Sequence, residues 1–309
     1  MRGIHRKSGM GAVLLMIVIM LFVQPVYANL SNPATALAIG YYSLWVKEKL
    51  NGSGADISGI PGFQTKGDLR AFGSLLKKHI GDKKTGKYMY GTGRPFSTER
   101  DAVLYYWSLC FVHNPYIEYM IVTEKIKGRY YGYVLDNKSN AVKYKHDQSG
   151  KCKRAAKAFT NKFLSELNEF QNTYGQLPLE TKIACAANFI AQELVYRNGW
   201  VPYNGKKIYS GGDLYTAYVT HHGVCSDYST LMQVLCRAMG IDCKVVMGFV
   251  SDGEKMGAHQ WNLIQLNGKN YYVDPTFDDV GENTGVARQI GFAGSVSEMY
   301  AGYDVYLIG

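Results

Sequence analysis

The sequence has six cysteines, yet no two of them form a CxxC pair, which argues against a zinc ribbon or a thioredoxin-type motif. Internal repeats and low-complexity tracts are also lacking. Lysines and arginines are scattered rather than grouped, so we expect no nucleic-acid groove. The glycine pattern of Gly91-Thr92-Gly93 is too short to predict a phosphate site. We therefore expect a packed globular protein without a cofactor or a nucleic-acid partner.

The first 28 residues have the three parts of a secretory signal: a basic start, an apolar run over 10–23 and a small-residue exit at Val26-Tyr27-Ala28. We predict cleavage after Ala28. The alternative is an uncleaved anchor, but the run is short for a spanning helix and Gln24-Pro25 ends it. The mature protein is then expected to be secreted, either extracellular or on the cell surface, without stable membrane insertion.

The size and charge of the chain set further bounds. With 309 residues, of which 47% are hydrophobic and 19% charged, it can bury a real core in one to two domains. Signal cleavage removes three basic residues and no acids, which lowers the formal net charge from +9 to +6. The resulting surface is mildly cationic, which fits either ordinary solvation or a place near anionic wall polymers or lipids.

Residues 29–150 are predicted to form an N-terminal accessory region. Thr98 and Asp101 resemble a capping box and so predict the start of a helix. Two runs rich in β-branched and aromatic residues flank Lys127-Gly128, as expected for a hairpin, and their tyrosines either fill the sheet or form a carbohydrate or peptide surface. The predicted elements are helices over 34–50 and 102–112, a glycine-rich loop over 51–67, and strands over 116–126 and 130–135.

Residues 151–309 are predicted to form a second domain that begins with two amphipathic helices. Apolar residues recur at three- and four-residue spacing in both helices, and Gly175 and Pro178 end the first. A polar, glycine-containing loop is predicted over 198–212. The apolar stripes are Phe159, Phe163, Leu167 and Phe170 in the first helix, and Ile183, Ala187, Ile190 and Leu194 in the second.

Cys225 is expected at the N-terminus of a helix, because an apolar stripe follows it and Gly240 is placed to stop that helix. The unsatisfied amides and the positive end of the helix dipole favour a thiolate there, and they can hold the oxyanion formed during acyl transfer. The alternative is that Cys225 is a small buried hydrophobic residue. The stripe consists of Tyr228, Leu231, Leu235 and Met239.

His259 and Asp274 lie on two alternating runs joined by Asn267-Gly268, which is a strong hairpin signal. With a two-residue turn, Trp261 faces Asp274, and His259 and Asp274 become diagonal neighbours on one face of the sheet. The carboxylate can then fix the tautomer of the imidazole. A three-residue turn would put the two side chains on opposite faces. With Cys225, they would complete a nucleophile, a base and an orienting group.

Other side chains near this site are alternatives. Cys236 lies about three turns further along the same helix, at the end where the dipole disfavours a thiolate. His221 and His222 could approach Cys225, but no paired carboxylate is placed for them, and we expect them to shape the entrance. A metal site built from these groups lacks a convincing fourth ligand, so we expect no metal. No disulfide can be assigned from the sequence.

Three motifs in this sequence resemble those of the transglutaminase-like superfamily, whose bacterial members carry GVCxDY-like, HxWN-like and YxVDPT-like segments. They lie here, in the same order, at 223–228, 259–262 and 271–276. The resemblance covers about residues 182–279, while residues 29–150 resemble only loosely the N-terminal extensions of some bacterial members. It implies an α+β fold with a papain/transglutaminase-like core, in which the helix bearing the cysteine packs on an antiparallel sheet, preceded by an α/β N-terminal extension.

Carried over by position, the resemblance implies a catalytic triad. Cys225 would be the nucleophile, His259 the base and acid, and Asp274 the partner of His259. The other matching motif residues are expected to support the site: Asp227, Tyr228, Trp261 and Asn262. For Trp261 and Asn262 we expect that support to come from packing.

The chemistry implied is attack of a thiolate on an amide carbonyl to give a thioester, which water or an amine then resolves. We favour hydrolysis, which makes the protein a peptidase or amidase for peptide or isopeptide bonds. The alternatives are a cross-linking protein-glutamine acyltransferase and a noncatalytic extracellular binding module with the same fold. The expected partner is a peptide or protein substrate, cell-wall-associated ones included.

Overall fold

The computed structural model describes residues 29–60, 62, 80–82, 87–113, 115–116, 119–137, 149–251, 253–254, 256–279 and 291–309. The signal sequence predicted over 1–28 lies outside the described residues, as does most of 61–79. Within the described ranges, no helix is both long and apolar enough to cross a bilayer.

The first helix, α1 (Pro33–Lys49), coincides closely with the helix predicted over 34–50. It begins at Asn32 because the side-chain oxygen of Asn32 accepts a hydrogen bond from the Ala34 amide at 3.0 Å, and Pro33 suits the first turn. One face of α1 is buried through Ile39, Tyr42 and Val46. Residues 51–60 after it contain neither helix nor strand, as expected for a loop.

The rest of the accessory region is a five-stranded antiparallel sheet with one helix packed on it. Strand β5 (Arg129–Asn137) pairs with β2 (Lys87–Tyr90), β3 (Pro95–Phe96) and β4 (Ile121–Ile126). The hairpin predicted around Lys127-Gly128 is confirmed, although its first strand begins at Ile121, later than expected. The Thr98 cap is confirmed by a 3.1 Å bond from the Asp101 amide. The elements are β1 (Ile80–Asp82), β2 (Lys87–Tyr90), β3 (Pro95–Phe96), α2 (Glu99–His113), β4 (Ile121–Ile126) and β5 (Arg129–Asn137).

Two long helices open the second half of the chain where the apolar stripes predicted them. Helix α3 (Ser149–Tyr174) ends before Gly175, whose φ is +83°, and α4 (Leu179–Glu193) follows Pro178. Phe159, Phe163 and Ile183 of these stripes are fully buried.

The prediction of a loop over 198–212 is wrong, because a hairpin occupies most of it. Strands β7 (Gly199–Tyr203) and β8 (Lys206–Ser210) pair antiparallel across Asn204-Gly205, where both residues have positive φ. Pro202 interrupts the strand-forming pattern, and an isolated two-stranded ribbon tolerates it. The neighbouring short elements are β6 (Val195–Tyr196), α5 (Leu214–Thr220) and β9 (His222–Gly223).

A second antiparallel sheet carries the C-terminal half, in the order β13-β12-β11-β10-β14. Helix α6 (Cys225–Ala238) packs on β10 and β11. This is the expected α+β architecture, with the cysteine helix against an antiparallel sheet. The remaining elements are β10 (Asp242–Ser251), β11 (Met256–Leu266), β12 (Lys269–Val273), α7 (Pro275–Asp278), β13 (Phe292–Ala293), a 3₁₀ turn (Val296–Glu298) and β14 (Gly302–Ile308).

The main core joins this sheet to helices α1, α3, α4 and α6. Helix α1 therefore packs with the second half of the chain, although it precedes the accessory sheet in sequence. The boundary near residue 150 remains a prediction. Core members from the five parts include Tyr42, Phe163, Phe189, Leu231 and Ile264.

Candidate active site

Cys225 is the first residue of helix α6, as predicted, and its side chain is partly exposed. The turn before it is held by Asp227, whose Oδ2 accepts hydrogen bonds from the amides of Val224 at 2.9 Å and Gly212 at 2.8 Å. Asp227 thus caps the start of the helix and ties it to the preceding loop. Because both bonds fix backbone around Cys225, Asp227 supports the position of the cysteine.

His259 and Asp274 meet because of the register of β11 and β12. Leu266 pairs with Lys269 and Asn262 with Val273, which is the register that a two-residue Asn267-Gly268 turn predicts. Both turn residues have positive φ, at 53° and 75°. The imidazole Nε2 of His259 lies 2.6 Å from Oδ2 of Asp274. The expected diagonal contact between the two side chains is therefore confirmed.

The imidazole of His259 also lies close enough to Cys225 for the thiol to act on the pKa of His259. Since Nε2 lies against Asp274, the Nδ1 nitrogen is the one that remains to exchange a proton with the thiol. Burial on its own lowers the pKa of His259, but the charge and the hydrogen bond of Asp274, together with Cys225, outweigh it and raise the pKa to about 10. The three side chains form one connected row.

Asp274 is fully buried at the end of β12. Its Oδ1 accepts hydrogen bonds from the amides of Thr276 at 2.9 Å and Phe277 at 3.2 Å, at the start of α7. Burial on its own raises the pKa of Asp274, but the positive charge and hydrogen bond of His259 outweigh it, and the pKa is lowered overall. A buried carboxylate kept ionised in this way can hold the imidazole in one orientation.

The arrangement matches a known family. Residues 170–275 match the model of the transglutaminase-like superfamily, and this segment contains the cysteine helix and the strands of the histidine and the aspartate. The chain carries a transglutaminase-like domain. In this domain the cysteine begins a helix, and the histidine and the aspartate lie on and beside the sheet against which the helix packs.

Three solved structures resemble the chain in part, and no curated protein matches its sequence. A candidate cysteine protease from Cytophaga hutchinsonii is 13% identical, with a TM-score of 0.27 over 62% of this chain and 74% of that one. A TGase is 15% identical, with a TM-score of 0.30 over 59% of this chain and 49% of that one. A candidate protease from Parabacteroides distasonis is 13% identical, with a TM-score of 0.24 over 56% of this chain and 34% of that one.

Of the two supporting residues in the histidine motif, Trp261 packs against the site, whereas Asn262 acts through hydrogen bonds rather than packing alone. Trp261 is fully buried and stacks on the imidazole of His259, with ring centroids 5.6 Å apart and planes inclined by 20°. Asn262 donates from Nδ2 to the carbonyls of Ser229 in α6 at 2.9 Å and Lys244 in β10 at 3.3 Å. Asn262 therefore ties the cysteine helix to the sheet.

Tyr228 is a fully buried residue of α6, and it anchors the segment that follows Asp274. Its hydroxyl donates to Oδ2 of Asp279, just beyond α7. Burial and the charge of Asp279 raise the pKa of Tyr228, so the phenol remains a donor. The helix that carries Cys225 and the segment that follows Asp274 are thereby joined.

Tyr300 is a member of the site that the sequence analysis missed. Its hydroxyl donates to Oδ2 of Asp274 at 2.6 Å and lies 3.2 Å from Nε2 of His259. Its ring meets the imidazole edge to face, with centroids 5.6 Å apart. Tyr300 belongs to none of the three motifs and lies beyond the segment that matches the family model, so no sequence signal pointed to it.

A cavity of about 60 Å³ opens beside the thiol of Cys225. One side of it comes from the transglutaminase-like domain, through Cys225, His259 and neighbouring residues. Other lining residues come from the accessory region, which therefore contributes to the site. The accessory residues concerned are Trp107, Cys110, Phe111, Pro115, Tyr116 and Tyr119.

The alternative groups weighed from the sequence take no part in this row of side chains. Cys236 is fully buried near the far end of α6. The Nδ1 atoms of His221 and His222 contact the carbonyls of Glu193 at 3.1 Å and Thr220 at 2.5 Å. Neither histidine lines the cavity, so the expectation that they shape the entrance is not met there.

Two further properties concern the metal and disulfide questions. Across the described ranges, no group of three or more His, Cys, Asp or Glu side chains is arranged to hold a metal ion. The six cysteines are all free thiols in this structure, and five of them are buried. The sixth, Cys225, is partly exposed, as a nucleophile must be to reach a substrate.

Proposed function

We propose that this protein is a cysteine enzyme that hydrolyses peptide or isopeptide amide bonds through a thioester, as a peptidase or amidase. The observation that carries the proposal is the connected row of Cys225, His259 and Asp274, with the thiol at a helix N-terminus and beside a cavity. A thiol, a base that it contacts and a buried carboxylate that orients the base are the three groups that acyl transfer needs.

In the proposed reaction, the Cys225 thiolate attacks the carbonyl carbon of the amide and forms a C–S bond. The developing oxyanion forms at the first residue of α6 and is stabilised there by the positive end of the helix dipole. The protonated imidazole of His259 gives its proton to the leaving nitrogen, and the C–N bond breaks. Water, deprotonated by the now neutral His259, then attacks the thioester carbon, and the C–S bond breaks. This releases a carboxylic acid and restores the Cys225 thiolate and the protonated His259.

The role of each triad member is tested by single substitutions. Cys225→Ala removes the nucleophile and His259→Ala removes the proton carrier, so each should lower kcat/KM by at least about 1,000-fold, and the double variant should be no worse than either. Asp274→Ala should cost less, because the nucleophile and the base remain. Cys236→Ala is the control. All variants are compared on one peptide substrate, after a check by circular dichroism that each is folded.

The substrate and the second step are tested with peptide libraries, with and without an added primary amine, by product mass. Products that gain water support the peptidase or amidase, whereas products that gain the amine identify the acyltransferase. A Cys225→Ala protein with full activity would end the proposal. A wild-type protein that binds peptides without turning over any of them would leave the noncatalytic binding module as the function.

Export is a separate part of the proposal, and it rests on the basic start, the apolar run and the Val26-Tyr27-Ala28 exit. We infer a secreted or surface-exposed enzyme whose substrates include cell-wall-associated peptides. The intact mass of the protein recovered outside the cell should correspond to a chain that begins at Asn29. Recovery of a chain that still begins at Met1 would contradict this.

A further inference from the structure

Tyr300 contacts both the base and the carboxylate of the proposed triad, yet it lies outside the residues that match the family model. Its hydroxyl donates to the same carboxylate oxygen of Asp274 that the His259 imidazole uses. The other oxygen of Asp274 is already held by two amides. Tyr300 therefore supplies the fourth hydrogen bond to a carboxylate that has no exposed surface.

This fourth bond matters because a fully buried carboxylate loses all of its hydration. An ionised carboxylate in such a place persists only if hydrogen bonds and a positive charge replace the lost water. The bond from Tyr300 is one of the causes that lower the pKa of Asp274, after the charge and the bond of His259.

The position of Tyr300 is fixed by contacts other than the one with Asp274. Its amide donates to the Val296 carbonyl at 3.0 Å, just after the 3₁₀ turn. Its ring meets that of Phe277 edge to face, with centroids 5.6 Å apart. These two contacts hold the Tyr300 ring in place, and so they fix the position of its hydroxyl beside the carboxylate.

The ionisable groups around this contact come from four other elements. Burial and the nearby charge of Asp274 raise the pKa of Tyr300, so its phenol stays protonated and able to donate. Asp278 in α7 and Tyr42 in α1 lie close enough to act on the carboxylate electrostatically, and Cys225 in α6 acts on Tyr300. His259 in β11 supplies the single positive charge among these groups.

We propose that Tyr300 is a positioning residue, which keeps the Asp274 carboxylate ionised and aligned on the imidazole of His259 by donating a hydrogen bond to it from the hydroxyl. The expected effect of Tyr300 on turnover rests on the proposed function. Its effect on Asp274 is independent of any substrate.

The test is Tyr300→Phe, which keeps the ring contacts and removes only the hydroxyl. We expect kcat to fall about tenfold while KM stays within about twofold, because one hydrogen bond to a charged group is lost and the cavity is unchanged. Tyr303→Phe is the matched control, since Tyr303 is 48% exposed and lies on the neighbouring strand. Both variants are compared with the wild type by steady-state kinetics and by thermal melting.

A second readout reports on Asp274 directly. In the full-length Cys225→Ala protein, the titration midpoint of the Asp274 carboxyl, followed by ¹³C NMR, should rise by about one pH unit when Tyr300→Phe is added. A fluorinated tyrosine at position 300 is a stronger donor and should lower the midpoint instead. This arm also covers the case in which Tyr300→Phe folds poorly.

The outcomes separate the two proposals. An unchanged Asp274 midpoint in both Tyr300 proteins, or wild-type kcat in Tyr300→Phe, overturns the role of Tyr300 and leaves the triad intact. Full activity of Cys225→Ala overturns the proposed function, whatever the midpoint does. A slower Tyr300→Phe enzyme whose midpoint is unchanged would show a merely structural role and would also overturn the inference.

Discussion

At the scale of single residues, the pKa values of two fully buried carboxyl groups in this site are shifted in opposite directions. The pKa of Asp274 is lowered, because His259 and several donors outweigh the effect of burial. The pKa of Asp278 is raised well above its ordinary value, because burial prevails and Asp274 adds a like charge. Asp278 accepts from the Gly291 amide and the Tyr42 hydroxyl. Burial alone therefore does not decide the direction of the pKa shift here, because the partners of each carboxyl group differ.

This balance predicts how activity depends on pH. The pKa of His259 is raised to about 10, so the imidazolium that protonates the leaving amine is present at neutral pH and is lost as the pH rises through about 10. In Asp274→Asn the opposing charge is gone and burial prevails, so the alkaline limb of kcat/KM should move to below about 6.5, the ordinary value for histidine. Profiles of both proteins over the range in which they remain folded test this.

The result to look for is a change in the alkaline limb between the two proteins. Asp242→Asn, on an exposed residue at the start of β10, is the control and should keep the wild-type profile. An Asp274→Asn enzyme with an unshifted alkaline limb would mean that Asp274 does not set the charge of His259.

At the scale of secondary-structure elements, the register of the second sheet brings the triad together. A two-residue Asn267-Gly268 turn puts His259 and Asp274 on the same face, and a slip of one residue would send one side chain to the other face. The pair Asn204-Gly205 makes the same kind of turn between β7 and β8. Its flanking strands were missed because Pro202 breaks their pattern.

Gly248 in β10 is a position of the same sheet that leaves no room for a side chain. It pairs with His259 in β11 and lies close to β14 on its other side. A Cβ atom at this position would lie 2.1 Å from the Asp304 carbonyl oxygen and 2.9 Å from the indole of Trp261. Gly248→Ala should therefore destabilise the protein by about 1–3 kcal/mol and disturb the stacking of Trp261 on His259. Chemical denaturation measures the first effect, and activity of the folded protein measures the second.

The matched control is Gly257→Ala in β11, where a Cβ atom would meet nothing within 4 Å. That variant should keep nearly the wild-type stability and turnover. Equal stabilities of the two alanine variants would show that β10 and β14 can separate without loss.

At the scale of the whole molecule, the N-terminal half contributes to the site in two ways. Helix α1 shares the main core with the transglutaminase-like domain, and its Trp45 donates to the Phe292 carbonyl at 3.0 Å. Its Tyr42 hydroxyl donates to Asp278 at 3.1 Å. Helix α2 and the segment after it line the cavity at Cys225. The accessory region is thus a structural part of the site.

We therefore expect that residues 151–309 alone do not form a stable domain, whereas residues 29–309 do. Without α1, the core loses Ile39, Tyr42 and Val46, each of which is worth about 2–5 kcal/mol when truncated in a well-packed core. Together, these three losses are comparable to the whole free energy of unfolding of a typical domain, about 5–15 kcal/mol. Urea unfolding of the two chains tests it, and cooperative unfolding of 151–309 with intact activity would contradict it.

The sequence by itself determined the parts of this protein that depend on neighbours along the chain. The apolar stripe after Cys225, the Asn267-Gly268 turn and the cap at Thr98 are local patterns, and each predicted an element that the structure contains. The same turn was enough to predict that His259 and Asp274 share a face. Periodicity and turn geometry act over a few residues, so one sequence contains that information.

Only the tertiary structure decided which distant segments complete the site. Tyr300 reaches Asp274, Tyr42 reaches Asp278, and Trp107 lines the cavity, although none of them lies in a recognisable motif. These contacts join segments far apart along the chain, and no local period or turn specifies them. They arise because burial of apolar surface packs α1 into the main core, α2 against β14, and the C-terminal turn against the second sheet.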